Sequence, residues 1–100
     1  AGMAQWITID LEALYDIRNI KLRWGKDFAR AYRIQVSSDG EIWKEAYEAD
    51  NGDGGLDDIV LPAPLRGRFV RVYCTDAGEA DVYSLIELEV YGNAVNLRKG

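Results

Sequence analysis

The sequence contains no histidine and a single cysteine. Each of these facts excludes particular catalytic groups, metal sites or cross-links. Without an imidazole the chain cannot form a Ser-His-Asp or Cys-His nucleophile, a histidine-ligated zinc site or a histidine pH switch. Cys74 alone can form neither a disulfide within the chain nor a multi-cysteine metal site. Because Cys74 ends a mostly apolar run that starts at Phe69, we expect its thiol to be buried and inert.

The sequence also lacks an excess of positive charge and long apolar runs. Its 12 basic and 17 acidic side chains give a net charge of −5, which argues against nucleic acid as a partner because phosphate binding needs clustered Lys and Arg. No apolar stretch approaches the roughly 20 residues that a membrane-spanning helix requires. A length of 100 residues, 48% of them hydrophobic, is typical of one globular domain.

Apolar and polar residues alternate along five segments, which is the pattern of strands with one buried face. These segments are residues 6–11, 20–24, 32–37, 70–74 and 86–91. Weaker strands are predicted at 42–47 and 56–61, and the intervening Gly-rich sequences predict turns. Pro62 and Pro64 are expected to lie outside the strands, because proline lacks an amide donor. Many short strands separated by such turns predict an all-β sandwich or barrel.

Four segments together resemble the discoidin family, also called coagulation factor 5/8 type C domains. They are QWITIDLE (5–12), YRIQVSSDGEIW (32–43), RFVRVYCT (68–75) and YSLIELEVYG (83–92). Within the family they are most similar to family 32 carbohydrate-binding modules, which are attached to bacterial polysaccharide-degrading enzymes. The resemblance implies an antiparallel jelly-roll β-sandwich of the galactose-binding-domain-like type. It also implies a non-catalytic, lectin-like module that binds a poly- or oligosaccharide as part of a larger multidomain protein, secreted or at the cell surface.

The resemblance is incomplete at its start. Family members begin with a further segment that carries an opening strand and a calcium-ligating loop, whereas four residues precede Gln5 here. Residues 93–100 instead resemble that opening strand. They either begin a following repeat or complete the sheet of the domain formed by residues 1–92. We favour pairing within this domain, because a sandwich that lacks a strand exposes an unpaired edge.

A structural calcium ion is the one cofactor that the resemblance implies, and its family ligands map to Glu87 and the carbonyl of Ile86. Calcium takes six to eight oxygen ligands, and the loop that would complete the site has no counterpart here. We therefore interpret Glu87 as an outward-facing strand residue. The acidic stretch 50–58 lacks ligands at two EF-hand positions, Ala49 and Val60, and is interpreted as a solvated hairpin.

Paired carboxylates do not predict an enzyme here. Glycoside hydrolysis needs two carboxyl groups across a cleft, roughly 5–10 Å apart, one of them with a raised pKa. Asp57 and Asp58 are adjacent, so they point to opposite faces of a strand. Glu87 and Glu89 both lie on an outward polar face. No catalytic residues are therefore predicted.

Sugar binding needs an aromatic ring to cover the C–H face of a sugar and polar groups to hold its hydroxyls. In the family, loops at one end of the sandwich supply these groups, and two loops match here, 24–30 and 76–83. Their candidate binding residues are Trp24, Lys26, Asp27, Phe28, Arg30, Glu79, Asp81 and Tyr83. Phe28 is the favoured exposed platform, whereas Trp24 is in phase with Ile20 and Leu22 and is a candidate core residue. Trp6 and Trp43 are interpreted as packing residues.

Three positions keep alternatives open. Gly25, Ala77 and Asp81 replace residue types that related modules often carry, which favours a structural or protein-interaction module without sugar binding as the alternative function. Lys26 and Arg30 suit an acidic sugar, whereas the acidic loop 76–81 suits a cationic amino sugar. Membrane binding is disfavoured, because Phe28 is the one clear apolar side chain on these loops.

Overall fold

The computed structural model describes residues 5–50, 52, 54–76 and 85–95, which are organised in β-strands. The five strands are β1 (Gln5–Trp24), β2 (Ala31–Ser37), β3 (Lys44–Ala49), β4 (Leu56–Asp76) and β5 (Leu85–Ala94). They pair in the order β3-β2-β4-β1-β5, with every pairing antiparallel. The described residues contain no helix, hence none that is long and apolar enough to cross a membrane. The all-β prediction is confirmed.

β1 and β4 are long strands that each join two of the predicted segments. The start of β1, from Gln5 to Asp10, pairs with the end of β4, and its second part, from Tyr15 onwards, pairs with the start of β4. The pairing is interrupted between Asp10 and Tyr15, where Glu12 has a φ of 68°. The ring of Trp24, at the far end of β1, nevertheless lies 5.3 Å from the ring of Tyr32 on β2. The sheet therefore folds back on itself into two layers.

The core lies between these layers and is built from the inward positions of the alternating strands. β2 shows the pattern most clearly, since Tyr32, Ile34 and Val36 are buried while Arg33 is exposed. The buried hydrophobic residues are Ile17, Ile20, Leu22, Trp24, Ala29, Tyr32, Ile34, Val36, Ile59, Leu61, Val70, Val72 and Cys74. The predicted burial of Cys74 is confirmed, and burial raises the pKa of its thiol to about 11. The thiol is therefore protonated and unreactive near neutral pH.

The prediction that Pro62 and Pro64 lie outside the strands is wrong, because both lie within β4. Val60 pairs with Asn19 and Leu65 pairs with Ile17, so β4 has more residues than β1 between these two pairs and the register shifts. In this stretch β4 pairs with β1 alone, since β2 joins it only from Phe69 onwards. The prolines thus sit in a bulge on an edge, where a missing amide donor breaks no ladder.

The predicted turn after β2 is built by the side chains of Ser37 and Asp39. The Ser37 hydroxyl accepts the amide of Gly40 at 2.8 Å, and Gly40 has a φ of 83°. Asp39 accepts the amides of Ile42 at 3.0 Å and Glu41 at 2.8 Å, and these bonds lower the pKa of its carboxyl. The turn closes the end of the sandwich opposite to Trp24.

β5 passes through the predicted boundary at residue 92 without a break. Asn93 and Ala94 pair with Asp16 and Tyr15 of β1, and the amide of Val95 donates to the carbonyl of Leu14 at 3.0 Å. Residues 96–100 lie outside the described residues. Pairing of the whole tail within this domain stays a prediction.

Candidate functional site

Loops from both layers meet at the end of the sandwich that carries Trp24. The amide of Gly52, between β3 and β4, donates to the carbonyl of Arg30, between β1 and β2, at 2.7 Å. The amide of Trp24 donates to the carbonyl of Gly55 at 2.8 Å. We refer to the surface formed by residues 25–30 and the described part of 50–55 as the loop end. β4 also finishes here, because Asp76 pairs with Ala31.

Beneath the loop end, Asp57 joins two aromatic side chains of the core. Its Oδ2 accepts the indole N–H of Trp24 at 3.0 Å and the hydroxyl of Tyr32 at 2.7 Å. The ring of Tyr32 also lies 6.2 Å from that of Tyr47 on β3. These contacts fix the floor of the loop end by tying both layers together.

Trp24 is part of this floor, as its phase with Ile20 and Leu22 indicates. It is only 4% exposed, and its indole N–H is already donated to Asp57. Its ring therefore offers no open platform, and the interpretation of Trp24 as a core residue is the one that the structure supports.

Phe28 lies on the loop end itself and is half-buried, so it is less open than the predicted exposed platform. It packs against the core from outside, and its ring also covers Gly54. A Cβ added at Gly54 would lie 2.8 Å from Cδ1 of that ring, and Gly54 has a φ of +77°. Gly54 therefore provides both the space for the ring and the backbone turn beside it.

The described residues of the loop end include four charged residues. Lys26, Arg30 and Asp50 are exposed, whereas Asp27 is half-buried. The loop end thus carries acidic and basic side chains on the same two loops that supply Phe28 and Gly54. Groups of this kind suit the recognition of polar ligands with an apolar face, such as sugars.

Three of the predicted binding residues belong to the second loop. Glu79, Asp81 and Tyr83 lie outside the described residues. Asp57, by contrast, lies in the floor beneath the loop end but is not among the predicted binding residues. The sequence could have indicated this, because Asp57 alternates with the inward-facing Ile59 and Leu61. Residues two apart in a strand share a face, so Asp57 is an acid on the core side of β4.

The residues described do not fit a calcium ion. Glu87 forms an ion pair with Arg23 at 3.2 Å, and the neighbouring Ile86 is 63% exposed. In residues 5–50, 52, 54–76 and 85–95, no three acidic, His or Cys side chains come together as metal ligands. Calcium needs six to eight oxygens, so we assign no role to this ion.

The carboxylate pairs also lack the arrangement of a hydrolase. Asp57 faces inward to Trp24 and Tyr32, whereas Asp58 is exposed and accepts Nδ2 of Asn19 at 3.1 Å. Glu89 is exposed as well and accepts the hydroxyl of Tyr91 at 2.9 Å. The predicted opposite orientation of Asp57 and Asp58 is confirmed.

The interpretation of Trp6 as a packing residue is wrong. Its side chain is 60% exposed, because it lies on the outer face of β1 with Thr8 and Asp10. Trp43 is half-buried, and the guanidinium carbon of Arg71 lies 4.0 Å from its ring centre. Both tryptophans are therefore outside the hydrophobic core.

Comparison with known proteins finds one family model and several solved structures that match the chain. The model of the F5/8 type C domain family matches residues 1–88. Chitosan-binding module 2 of a chitosanase/glucanase from Paenibacillus sp. IK-5, solved in complex with chitotriose, is 44% identical with a TM-score of 0.82, and the match covers 87% of this chain and 69% of the module. Module 1 of that enzyme is 40% identical with a TM-score of 0.83, covering 89% of this chain and 69% of the module.

A more distant structure shares the fold alone. A module from Clostridium perfringens, CpGH89CBM32-5, solved in complex with GalNAc-β-1,3-galactose, is 23% identical with a TM-score of 0.78, covering 92% of this chain and 68% of the module. No curated protein matches the chain. The predicted discoidin-like sandwich is confirmed by these structures.

Proposed function

Since the chain belongs to the F5/8 type C domain family, we propose that it is a non-catalytic carbohydrate-binding module whose loop end binds an amino-sugar oligosaccharide. One observation carries the proposal. Loops from both layers meet around Phe28 in a chain that is 44% identical to a chitosan-binding module in complex with chitotriose. The site is a surface rather than a catalytic cleft, so we propose that it binds a glycan without cleaving it.

Charge supports an amino sugar over an acidic one. The primary amine of glucosamine is protonated in mildly acidic solution and pairs with carboxylates. Asp27 and Asp50 lie at the loop end, and the net charge of the chain is −5. Solvent-exposed pairs of this kind are each worth about 0.2–1 kcal/mol and weaken with salt, so we expect modest, salt-sensitive affinity.

Lys26 and Arg30 have a different role in this proposal. They carry the same sign as a protonated amine, so they do not bind it. As exposed donors at the loop end, they bind hydroxyl and ring oxygens of neighbouring sugar units. Phe28 covers the C–H face of one unit with the part of its ring that is not packed on Gly54.

The parent protein is proposed to act outside the cell. A long polysaccharide such as chitosan does not cross a cell membrane intact, and the 44% identical module comes from a chitosanase/glucanase. A non-catalytic module of this kind holds its parent enzyme on the polymer and raises the local substrate concentration.

The test is a binding titration with three ligands: a chitosan oligosaccharide, an oligogalacturonate and a neutral cello-oligosaccharide. We expect binding to the first and a loss of about three- to tenfold in Phe28→Ala, the range of aromatic contacts. Phe69→Ala is the matched control, because Phe69 is also half-buried but packs by Gly40 at the opposite end. Preference for oligogalacturonate would contradict the amino-sugar assignment. Silence of the folded protein towards all three would favour a protein-interaction module.

A further inference from the structure

An exposed aromatic pair lies on the outer face of the sheet, outside the residues of the loop end. Trp6 on β1 and Tyr73 on β4 are register partners. Their ring centres are 5.8 Å apart and their planes are inclined by only 8°. The pair leaves Trp6 60% exposed, although burial of a side chain of this size is strongly favourable.

The pair continues into a wider surface. Arg71 lies two residues from Tyr73, on the same face of β4, and its guanidinium carbon is 4.0 Å from the ring centre of Trp43. Its Nε also donates to Oε1 of Gln35 at 2.8 Å. We call Trp6, Tyr73, Arg71 and Trp43 the aromatic band.

The charges beside the aromatic band are satisfied within the sheet. Arg33, the register partner of Tyr73 on β2, forms ion pairs with Glu48 at 3.1 Å and Glu45 at 3.6 Å. Apart from the Arg71 guanidinium, which contacts Gln35 and Trp43, the surface therefore presents ring faces and neutral hydrogen-bonding groups. Such a surface matches the C–H faces and hydroxyls of sugar rings, and it has no preference for an ammonium group.

The aromatic band also runs towards the loop end. Tyr73 is three residues before Asp76, where β4 finishes beside Ala31. Three residues of strand span about 10 Å, a distance that a short oligosaccharide bridges. A glycan held at the loop end can therefore extend along this face without leaving the protein.

We propose that the aromatic band is a second glycan-contacting surface, which binds the units of a long polysaccharide that extend beyond the loop end. The proposal rests on the proposed function, because it concerns the same ligand. It assigns separate tasks to two surfaces: the loop end selects the amino sugar, and the aromatic band adds affinity for long chains by stacking.

The experiment compares a short and a long ligand, the glucosamine trimer and polymeric chitosan, with each variant first shown to melt as a folded protein. In Trp6→Ala and Tyr73→Ala we expect unchanged affinity for the trimer and a loss of about three- to tenfold for the polymer. Trp6→Phe keeps a ring and is expected to retain most of the polymer affinity. Tyr91→Ala is the control, since Tyr91 is a 41% exposed tyrosine on β5, outside the band.

The outcomes separate the two proposals. If Trp6→Ala and Tyr73→Ala bind the polymer as tightly as the unmodified chain, the aromatic band is not a glycan surface. The same conclusion follows if the trimer and the polymer lose affinity equally, because the substitutions then act on the loop end. If the unmodified chain binds neither ligand, the proposed function itself is overturned.

Discussion

Asp57 connects the core of the sandwich to its loop end through one carboxylate oxygen. That oxygen accepts hydrogen bonds from the indole of Trp24 and the hydroxyl of Tyr32. Trp24 ends β1 and Tyr32 lies near the start of β2, so a single side chain fixes the entrance and the exit of the loop that carries Phe28. A typical intramolecular hydrogen bond contributes about 0.5–1.5 kcal/mol to stability, so these two bonds together contribute about 1–3 kcal/mol.

We expect Asp57→Ala to lower the free energy of unfolding by about 1–3 kcal/mol, because two partly buried donors lose their acceptor. Asp57→Asn keeps a neutral acceptor and should lose less. Urea denaturation measures both effects. The neighbouring Asp58→Asn is the control, since that carboxylate is exposed and surface changes stay within about 0.5 kcal/mol. Equal losses in the two Asp→Asn variants would contradict the role given to Asp57.

Asp10 and Arg68 form a bidentate pair on the surface. Nε and Nη2 of Arg68 donate to the two carboxylate oxygens at 2.7 and 2.9 Å, and the amide of Glu12 adds a third bond at 2.8 Å. The Arg68 bonds first, and the Glu12 amide second, lower the pKa of Asp10 to about 2, and the same pair raises the pKa of Arg68. The pair joins β1 to β4 at the point where their pairing is interrupted, between Asp10 and Tyr15.

Because the pKa of Asp10 is lower in the folded chain than the usual value near 3.9, its ionised form stabilises the fold above about pH 4. This contribution is lost as the pH falls from about 4 towards 2. We expect carboxyl NMR to show Asp10 titrating near pH 2, and Asp10→Asn to reduce the loss of stability in that interval. A midpoint near 4 in the folded chain would contradict the pairing.

At the scale of elements, the fold depends on two strands that continue through a bend. β1 bends at Glu12, and on β4 the nearby Gly67 is buried against the side chain of Val36. A Cβ at Gly67 would overlap Cγ1 of Val36 and approach the carbonyl of Ser37 to 3.2 Å. Val36 is fully buried and its β-branched side chain is stiff, so it cannot move aside.

We therefore expect Gly67→Ala to destabilise the fold by about 1–3 kcal/mol, the usual cost of overpacking a core. The double variant Val36→Ala with Gly67→Ala removes the overlapping methyl group. Its loss should be smaller than the sum of the two single losses, which a double-mutant cycle by urea denaturation measures. Additive losses would show that the two residues do not compete for the same space.

The sequence predicts these elements well where alternation is regular and poorly where it stops. β2 and the ends of β1 and β4 follow their apolar phase. Residues 12–14 and 62–64, which connect the predicted segments within β1 and β4, do not follow this alternation. Bulges there interrupt the period of two without ending the strand. The same phase also places Trp6 with the polar Thr8 and Asp10, so its exposure is readable from β1 itself. The resemblance to a family strand pointed instead to packing.

At the scale of the molecule, pairing in the sheet redistributes the charge of the sequence. Residues 18–33 are rich in bases and 41–58 in acids, yet Arg33 of β2 meets Glu45 and Glu48 of β3 across the ladder. These exposed pairs add little stability. Their effect is to leave the sheet face nearly neutral.

The sequence predicts where the loop end lies but not the contacts between its residues. Its position follows from where the strands finish, and Phe28, Lys26 and Arg30 were readable as loop residues. The burial of Phe28 against Gly54 and the junction at Asp57 depend on contacts between residues that are 25 or more apart in the chain. Such contacts leave no local pattern in the sequence.

Sugar binding at the loop end is tested most directly by an NMR titration of the isotope-labelled chain with the glucosamine trimer, in which the chemical shift of each amide is followed. We predict that amide shifts concentrate in residues 25–30 and 52–57, and that the turn at 38–42, at the opposite end, stays unchanged. Shifts centred on that turn, or spread evenly over the sheet, would contradict the claim that the end around Phe28 is the sugar-binding site.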